Sequence, residues 1–317
     1  MTEKINPKIE IIINNIEKVM IGKRQVAKLS LAALLAKGHV LLEDVPGVGK
    51  TMLVKALAKS VSAEYKRIQF TPDLLPSDVT GISIYHAEKQ DFIFRPGPIM
   101  GNIILADEIN RTSPKTQSAL LEAMEEHSVT VDGVTYKLAE PFFVMATQNP
   151  IEYEGTYSLP EAQLDRFLLK MKMGYPDMQD EMTILMNAKM FTDVEDLQPV
   201  IDMNELIGLQ QEVRQVYIDD TVARYMVELA VRTRADKRVY LGVSPRGTIA
   251  LMKAAQAWAF IHNREFCLPD DVQYLVPFVF EHRMIMKSEA VYEGCDSNTI
   301  LQEILTKTPV PVQRKVN

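Results

Sequence analysis

The sequence predicts an α/β domain built on a parallel sheet with helices on both faces, followed by an all-α domain. Three observations predict it. Short unbroken apolar runs, Val40–Leu42, Ile103–Ala106 and Phe142–Ala146 among them, alternate with helical patterns as far as about residue 173. A strand that is apolar at every position must bury both faces, which is the situation of a parallel sheet covered by helices. A glycine-bearing loop follows the first of these runs directly and opens a helix. Beyond Gly174-Tyr175-Pro176-Asp177 strand signals fade and the helical period takes over.

Taken in order, residues 9–37 have helical periodicity with a break at Gly22. Gly38-His39 leads into the buried strand Val40-Leu41-Leu42, and a second strand is expected at Arg67–Phe70. The segment 71–101 is a long insert. Within it Ile82–Tyr85 and Asp91–Phe94 alternate around His86–Gln90, which predicts a hairpin. After the strand Ile103–Ala106 comes a second hairpin at 128–138, in which Asp132-Gly133 supplies a two-residue turn between Val129–Val131 and Val134–Tyr136. Loops of this length in a compact domain usually carry function. Phe142–Ala146 and Phe167–Met171 complete the strands. In the second half Val222, Tyr225, Met226 and Leu229 mark one helix, and Leu251, Ala254, Ala255 and Trp258 another. The latter is entered through Ser244-Pro245, an N-cap with proline at the first helical position. These patterns divide the chain into a core at 1–175, a separate helical domain at 176–308 and a tail at 309–317.

Composition excludes several function classes. The 317 residues carry 35 Lys+Arg against 42 Asp+Glu, a formal net charge of −7. That balance argues against a chain built to coat nucleic acid, whose footprint is a basic face. Cys267 and Cys295 support neither a disulfide framework nor a cysteine zinc site. His86 and His127 lack the spacing and companions of a metal site, and the 17 Met suit irregular core space. Met1-Thr2-Glu3-Lys4 does not open a signal pattern, and the longest apolar stretch, Leu29–Ala36, is far too short to span a bilayer. A soluble, cytoplasmic chain is expected.

The chemistry is carried by two strand ends. Val40–Leu42 runs into Glu43-Asp44-Val45-Pro46-Gly47-Val48-Gly49-Lys50-Thr51 and then a helix, the setting of a phosphate-binding loop. Gly47, Val48 and Gly49 present backbone N–H groups to an anion, and the helix N-terminus adds its dipole. Lys50 is placed to reach the β- and γ-phosphates, and the Thr51 hydroxyl to ligate Mg²⁺. The strict motif has glycine where this chain has Asp44, a residue that tolerates left-handed backbone angles but brings a charge repelled by phosphates unless it points away. The strand Ile103–Ala106 ends in Asp107 and Glu108, one suited to hold the metal and the other to polarise the attacking water. Phe143–Ala146 likewise ends in Thr147-Gln148-Asn149, and the Asn149 amide offers both donor and acceptor to the same water.

Together these residues resemble the MoxR family of AAA+ ATPases over nearly the whole chain. The likeness rests on Gly38–Leu42, Pro46–Thr51, Asp107–Arg111 and Ala146–Pro150. It continues through Leu159–Phe167, Val213–Arg234, Ser244-Pro245-Arg246 and Pro269–Val272. The resemblance implies a P-loop AAA+ core followed by a helical lid, with ATP and Mg²⁺ as cofactors. It implies that Met20, Ile21 and Gly22, in the segment from Val19, line the adenine pocket, and that Asn149 is the sensor 1 residue. Arg166 matches the arginine finger that reaches a neighbouring subunit's nucleotide. Arg246 matches sensor 2, expected to contact the γ-phosphate from the lid of the same chain. The insert at 71–101 and the hairpin at 128–138 are implied to face the pore or a partner.

A homo-oligomeric ring, a hexamer, is thereby expected, with chaperone-like remodelling of protein complexes as its work and a VWA-domain protein as a partner. The ATPase subunit of a metal chelatase is an alternative; so are a nucleic-acid motor and a switch that binds ATP without turnover. A small-molecule kinase needs no finger, lid arginine and paired hairpins together. The chain lacks the N-K-x-D motif of a GTPase; ATP is favoured on the resemblance.

Overall fold

A computed structural model describes residues 4–45, 47–149, 156–187 and 193–311. Among these the chain opens with helices Pro7–Glu17 and Arg24–Leu35. Nine strands come next: β1 (Val40–Glu43), β2 (Tyr65–Gln69), β3 (Gly81–His86), β4 (Asp91–Pro96), β5 (Ile103–Asp107), β6 (Ser128–Val131), β7 (Val134–Lys137), β8 (Phe143–Gln148) and β9 (Leu169–Met171). The five strands β2-β5-β8-β1-β9, in that order, make one sheet in which every neighbouring pair is parallel.

The unbroken apolar runs do what their composition requires. Val40, Leu42, Ile103, Leu105, Phe143, Met145 and Leu169 enter one hydrophobic cluster, while Leu41, Ile104, Ala106, Val144 and Ala146 enter another. Alternate residues of each strand thus serve opposite faces. Register aligns the carboxyl ends: Gln69 pairs with Asp107, Ala106 with Ala146, and Glu43 with Gln148. One edge of the sheet therefore collects the segments that leave β1, β5 and β8. From β1 the chain crosses to the far edge at β2 and returns by β5 and β8 to finish on β1's other side at β9. Open sheets of this kind bind ligands at such a reversal.

Both expected hairpins form, β3 with β4 and β6 with β7. In the second, Asp132 and Gly133 take φ of 50° and 78°, as a tight two-residue turn demands. The hairpins dock through Phe94 and Tyr136, whose rings stack at 4.0 Å. Ile82, Ile84, Tyr85 and Phe92 remain exposed.

Beyond residue 178 come helices Met178–Asn187, Met203–Val213, Asp220–Ala235, Pro245–Ile261, Pro269–Phe280, Ser288–Tyr292 and Ser297–Lys307. Ser244 caps its helix by accepting from the Gly247 N–H at 3.3 Å. The expectation of an all-α lid needs a correction. Strands β10 (Val239–Leu241) and β11 (Ile285–Met286) pair antiparallel, because the turns after Ala235 and Arg283 bring two extended segments side by side. Nor is the lid separate in its packing: its buried residues join those of the two N-terminal helices and one sheet face in a single cluster. Polar bonds tie the same parts, Gln210 Nε2 donating to the Leu34 carbonyl at 2.8 Å and the Asn6 N–H to that of Ile261 at 2.8 Å. Of the tail, residues 312–317 lie outside the described residues. No helix among the described residues is long and apolar enough to cross a membrane. Cys267 is buried, and burial pushes its thiol up to about 12.

Candidate functional site

The phosphate loop leaves the end of β1 and turns into the helix Lys50–Ser60. Gly47 and Gly49 adopt φ of 87° and 95°, left-handed angles at which a side chain would be strained. Pro46 lies outside the described residues. Val48 is buried and the side chains of Lys50 and Thr51 are half-buried at the first turn. Lys50 Nζ donates to the Asp44 carbonyl at 2.9 Å, so the ammonium lies folded onto its own loop.

Asp44 answers the question its charge raised. Its Oδ2 accepts from the backbone N–H groups of Met173 and Gly174 at 2.6 and 2.7 Å, and its Oδ1 from that of Val45 at 3.0 Å. The carboxylate is directed at the start of the segment leading to the lid. Lys23, equally buried, donates to the carbonyls of Met173, Gly174 and Tyr175 at 3.0, 3.0 and 2.9 Å. An acid from the phosphate loop and a base from the Val19–Gly22 side thus both clasp Met173 and Gly174, and Lys23 reaches Tyr175 as well. Met20 borders the loop: a methyl placed on Gly49 would lie 3.5 Å from its Cε. Gly22 abuts the Asp180 carboxylate and takes φ of 69°, a left-handed angle at which a side chain would be strained.

The acids stand two strands away. Asp107 Oδ1 accepts from Thr147 Oγ1 at 2.7 Å, and the same hydroxyl accepts from the Glu108 N–H at 2.8 Å. Thr147, fully buried on β8, so fixes the Asp107 carboxylate at the end of β5 and the backbone of Glu108 just beyond it. Glu108 takes φ of 59°, a left-handed angle that costs a non-glycine residue about 1–3 kcal/mol. Asp107 Oδ2 accepts from Arg67 Nη2 at 2.7 Å, and Glu108 Oε2 from Gln69 Nε2 at 2.8 Å and Arg111 Nη1 at 2.9 Å. Asn149, buried, follows β8 between the loop and the acids, and its carbonyl accepts from Asn110 Nδ2 at 3.3 Å. Thr51 and Asp107 supply a hydroxyl and a carboxylate, hard oxygen donors that suit Mg²⁺, which retains waters for its remaining positions. A metal there would share Asp107 with Arg67.

Arg166 and Arg246 are brought together, but not at this edge. Arg166 Nε meets Glu125 Oε2 at 2.9 Å, and Arg246 Nη1 meets Glu125 Oε1 at 2.9 Å. They border a cleft with Lys37, Gly38, His39 and Lys253, beside the amino end of β1, whereas the phosphate loop follows its carboxyl end. The expected contact of Arg246 with the phosphates of its own chain is therefore corrected. The helix Pro245–Ile261 packs on Arg24–Leu35 and delivers its first turn to the opposite edge of the sheet. Buried His39 sits between: Nδ1 accepts from the Val144 N–H at 3.0 Å and Nε2 donates to the Met124 carbonyl at 3.2 Å. Burial, with a smaller push from His127, lowers its pKa to about 4.

Sequence reasoning missed Lys23, Arg67, Gln69, Arg111, Glu125 and Thr147. Thr147 and Arg111 had a signal, since they lie inside the runs Ala146–Pro150 and Asp107–Arg111.

Comparison with known proteins agrees with this geometry. Residues 39–169 match the ATPase family associated with various cellular activities (AAA), and residues 231–304 match the AAA lid domain. The chain is 62% identical over 312 residues to the uncharacterised protein YeaC of Bacillus subtilis, with 98% of each covered. It is 37% identical over 305 residues to Chaperone MoxR1 of Mycobacterium tuberculosis, covering 93% of this chain and 80% of that one. A protein of Cytophaga hutchinsonii, whose crystal structure carries the provisional description of an ATPase, superposes with a TM-score of 0.90 at 39% identity. That match covers 96% of this chain and 95% of the other.

Proposed function

The chain belongs to the MoxR family of AAA+ ATPases, and on that premise we propose that it hydrolyses Mg²⁺-ATP to remodel protein complexes. The observation that carries the reading is the meeting of Gly47–Thr51, Asp107-Glu108 and Asn149 at one edge of the sheet, with Thr147 bracing the acids.

In this reading the loop N–H groups and Lys50 take the phosphates, Lys50 leaving the Asp44 carbonyl to do so. Thr51 and Asp107 hold the magnesium ion, which neutralises charge on the phosphate oxygens when bound. Glu108 leaves Gln69 and Arg111 to accept a hydrogen bond from the attacking water, and the Asn149 amide orients it. Met20, Ile21 and Gly22 border the base.

Arg166 and Arg246 lie at the edge remote from their own phosphate loop, which favours their service to the nucleotide of a neighbouring subunit in a ring, six subunits in our reading. An arginine supplied in this way raises phosphoryl-transfer rates by about 10³–10⁵. Exposed Tyr85 and Phe92 on the insert hairpin give the ring apolar groups for a protein client, with a VWA-domain protein as partner. The relative named Chaperone MoxR1 supports that direction.

The test is ATP turnover by the wild type and Glu108→Gln. The variant is expected to bind ATP and lose hydrolysis by at least about 100-fold. Equal rates, or no hydrolysis by assembled wild type with any client fraction, would overturn the reading.

A further inference from the structure

Glu125 has no role in the proposed hydrolysis, yet it is the group on which both arginines converge. It lies in the last turn of the helix Pro114–Glu126. Arg166 comes from the core just after the helix Glu161–Leu164, and Arg246 from the first turn of a lid helix 80 positions later. One carboxylate receives them both, each on its own oxygen at 2.9 Å. Two guanidinium groups this close repel each other, and an anion between them removes most of that repulsion. Arg246 donates one Nη1 N–H to Glu125, Arg166 approaches it through Nε, and a guanidinium has five N–H groups, so both arginines keep donors for a second anion.

The surroundings supply no competing explanation for Glu125. Asp165, the other acid of the cleft, is committed to Arg283 at 2.6 Å and stands 3.9 Å from Arg246. Lys37 of this cleft is paired with Glu140 at 3.4 Å, but three arginines and Lys253 against two acids still leave an excess of positive charge suited to phosphate oxygens. Glu125 is itself held in place, because His39 bonds the preceding carbonyl, that of Met124. Its helix starts three residues after Arg111, whose guanidinium holds Glu108.

We propose that Glu125 is a positioning residue that holds Arg166 and Arg246 as one paired unit for the nucleotide of the adjoining subunit. The inference rests on the proposed ATPase function. Without Glu125 the two like charges separate, and each must be reassembled at the transition state.

The experiment uses full-length rings. Glu125→Gln keeps the shape but offers one acceptor and no charge, and Glu125→Asp keeps the charge on a shorter stem. Glu125→Gln is expected to lower kcat by about 10–100-fold with KM for ATP changed less than about threefold, since it acts on transition-state donors. Ring mass by sedimentation is expected to be unchanged. Mixing Glu125→Gln with Glu108→Gln then discriminates. The first brings sound acids and the second sound arginines, so random 1:1 rings regain about one quarter of the wild-type rate if the arginines act across the interface.

A wild-type kcat in Glu125→Gln overturns the proposal, as does a loss that mixing fails to rescue. Should Glu125→Gln not fold, the same two measurements on Glu125→Asp decide. Wild type without ATP turnover would instead strike at the ATPase function itself, and that outcome is separate from either result at Glu125.

Discussion

Asp44 stands where a phosphate loop ordinarily has glycine, and its replacement tests whether the carboxylate serves the junction with the lid or burdens the nucleotide. Its oxygens accept from Met173, Gly174 and Val45, and the side chain is buried. A hydrogen bond to a charged group contributes about 1.5–3 kcal/mol, so Asp44→Ala, which strands the two shorter bonds, should cost about 3 kcal/mol. With an unfolding entropy of about 2.1 cal/mol/K per residue, that lowers Tm of a chain this long by about 4–5 °C. Affinity should move differently. A carboxylate about 6 Å from a phosphate at an effective dielectric constant of about 20 would oppose binding by about 3 kcal/mol per unit charge, about a hundredfold in Kd. Directed away from the phosphates, Asp44 avoids that repulsion, and Asp44→Asn is expected to change Kd for a non-hydrolysable ATP analogue less than about threefold. Thermal unfolding followed by circular dichroism and calorimetric titration read the two quantities. A variant that binds more than about tenfold tighter at unchanged Tm would refute the argument.

His39 should make the protein sensitive to mild acid. Its folded pKa of about 4 lies below the ordinary 6.5, so the unfolded chain binds the proton first. Stability from neutral His39 is present above pH 6.5 and is lost as pH falls toward 4. About 2 kcal/mol should go between about pH 7 and pH 5, seen in urea midpoints, and that part of the slope should vanish in His39→Gln. A slope identical in both would refute it. Thr147→Val keeps the shape but strands the Glu108 N–H and an Asp107 oxygen. It should cost about 1–3 kcal/mol and lower kcat more than it raises KM; a variant as stable and active as wild type would deny Thr147 its bracing role.

What the sequence made legible was local. Val40 through Thr51 is a contiguous strand, loop and helix, and Asp107-Glu108 closes an apolar run, so both could be placed without knowing what they pack against. Residues that act through tertiary contact left little trace. Arg67 and Gln69 lie on the edge strand β2, whose Tyr65-Lys66-Arg67-Ile68-Gln69 looks like solvated surface until parallel pairing sets Gln69 beside Asp107. The direction of the Asp44 carboxylate depends on Met173 and Gly174, 129 and 130 positions away. Motif identity points Arg246 at its own nucleotide because it does not tell on which side of the sheet the lid packs. That side is set by the apolar faces of Arg24–Leu35 and Pro245–Ile261, which share a core. The small β10–β11 ladder is silent for a related reason, since a two-residue strand has no period to detect.

The phosphate loop and acids of one subunit are proposed to work with the arginines of the next, and everything else in the mechanism depends on that pairing. The ATPase rate per subunit, followed from assembled rings down to dilutions where sedimentation finds monomers, tests it most directly. The per-subunit rate is expected to fall steeply as rings dissociate, by at least about 10³-fold in the monomer. A rate that stays constant down to confirmed monomers would contradict it.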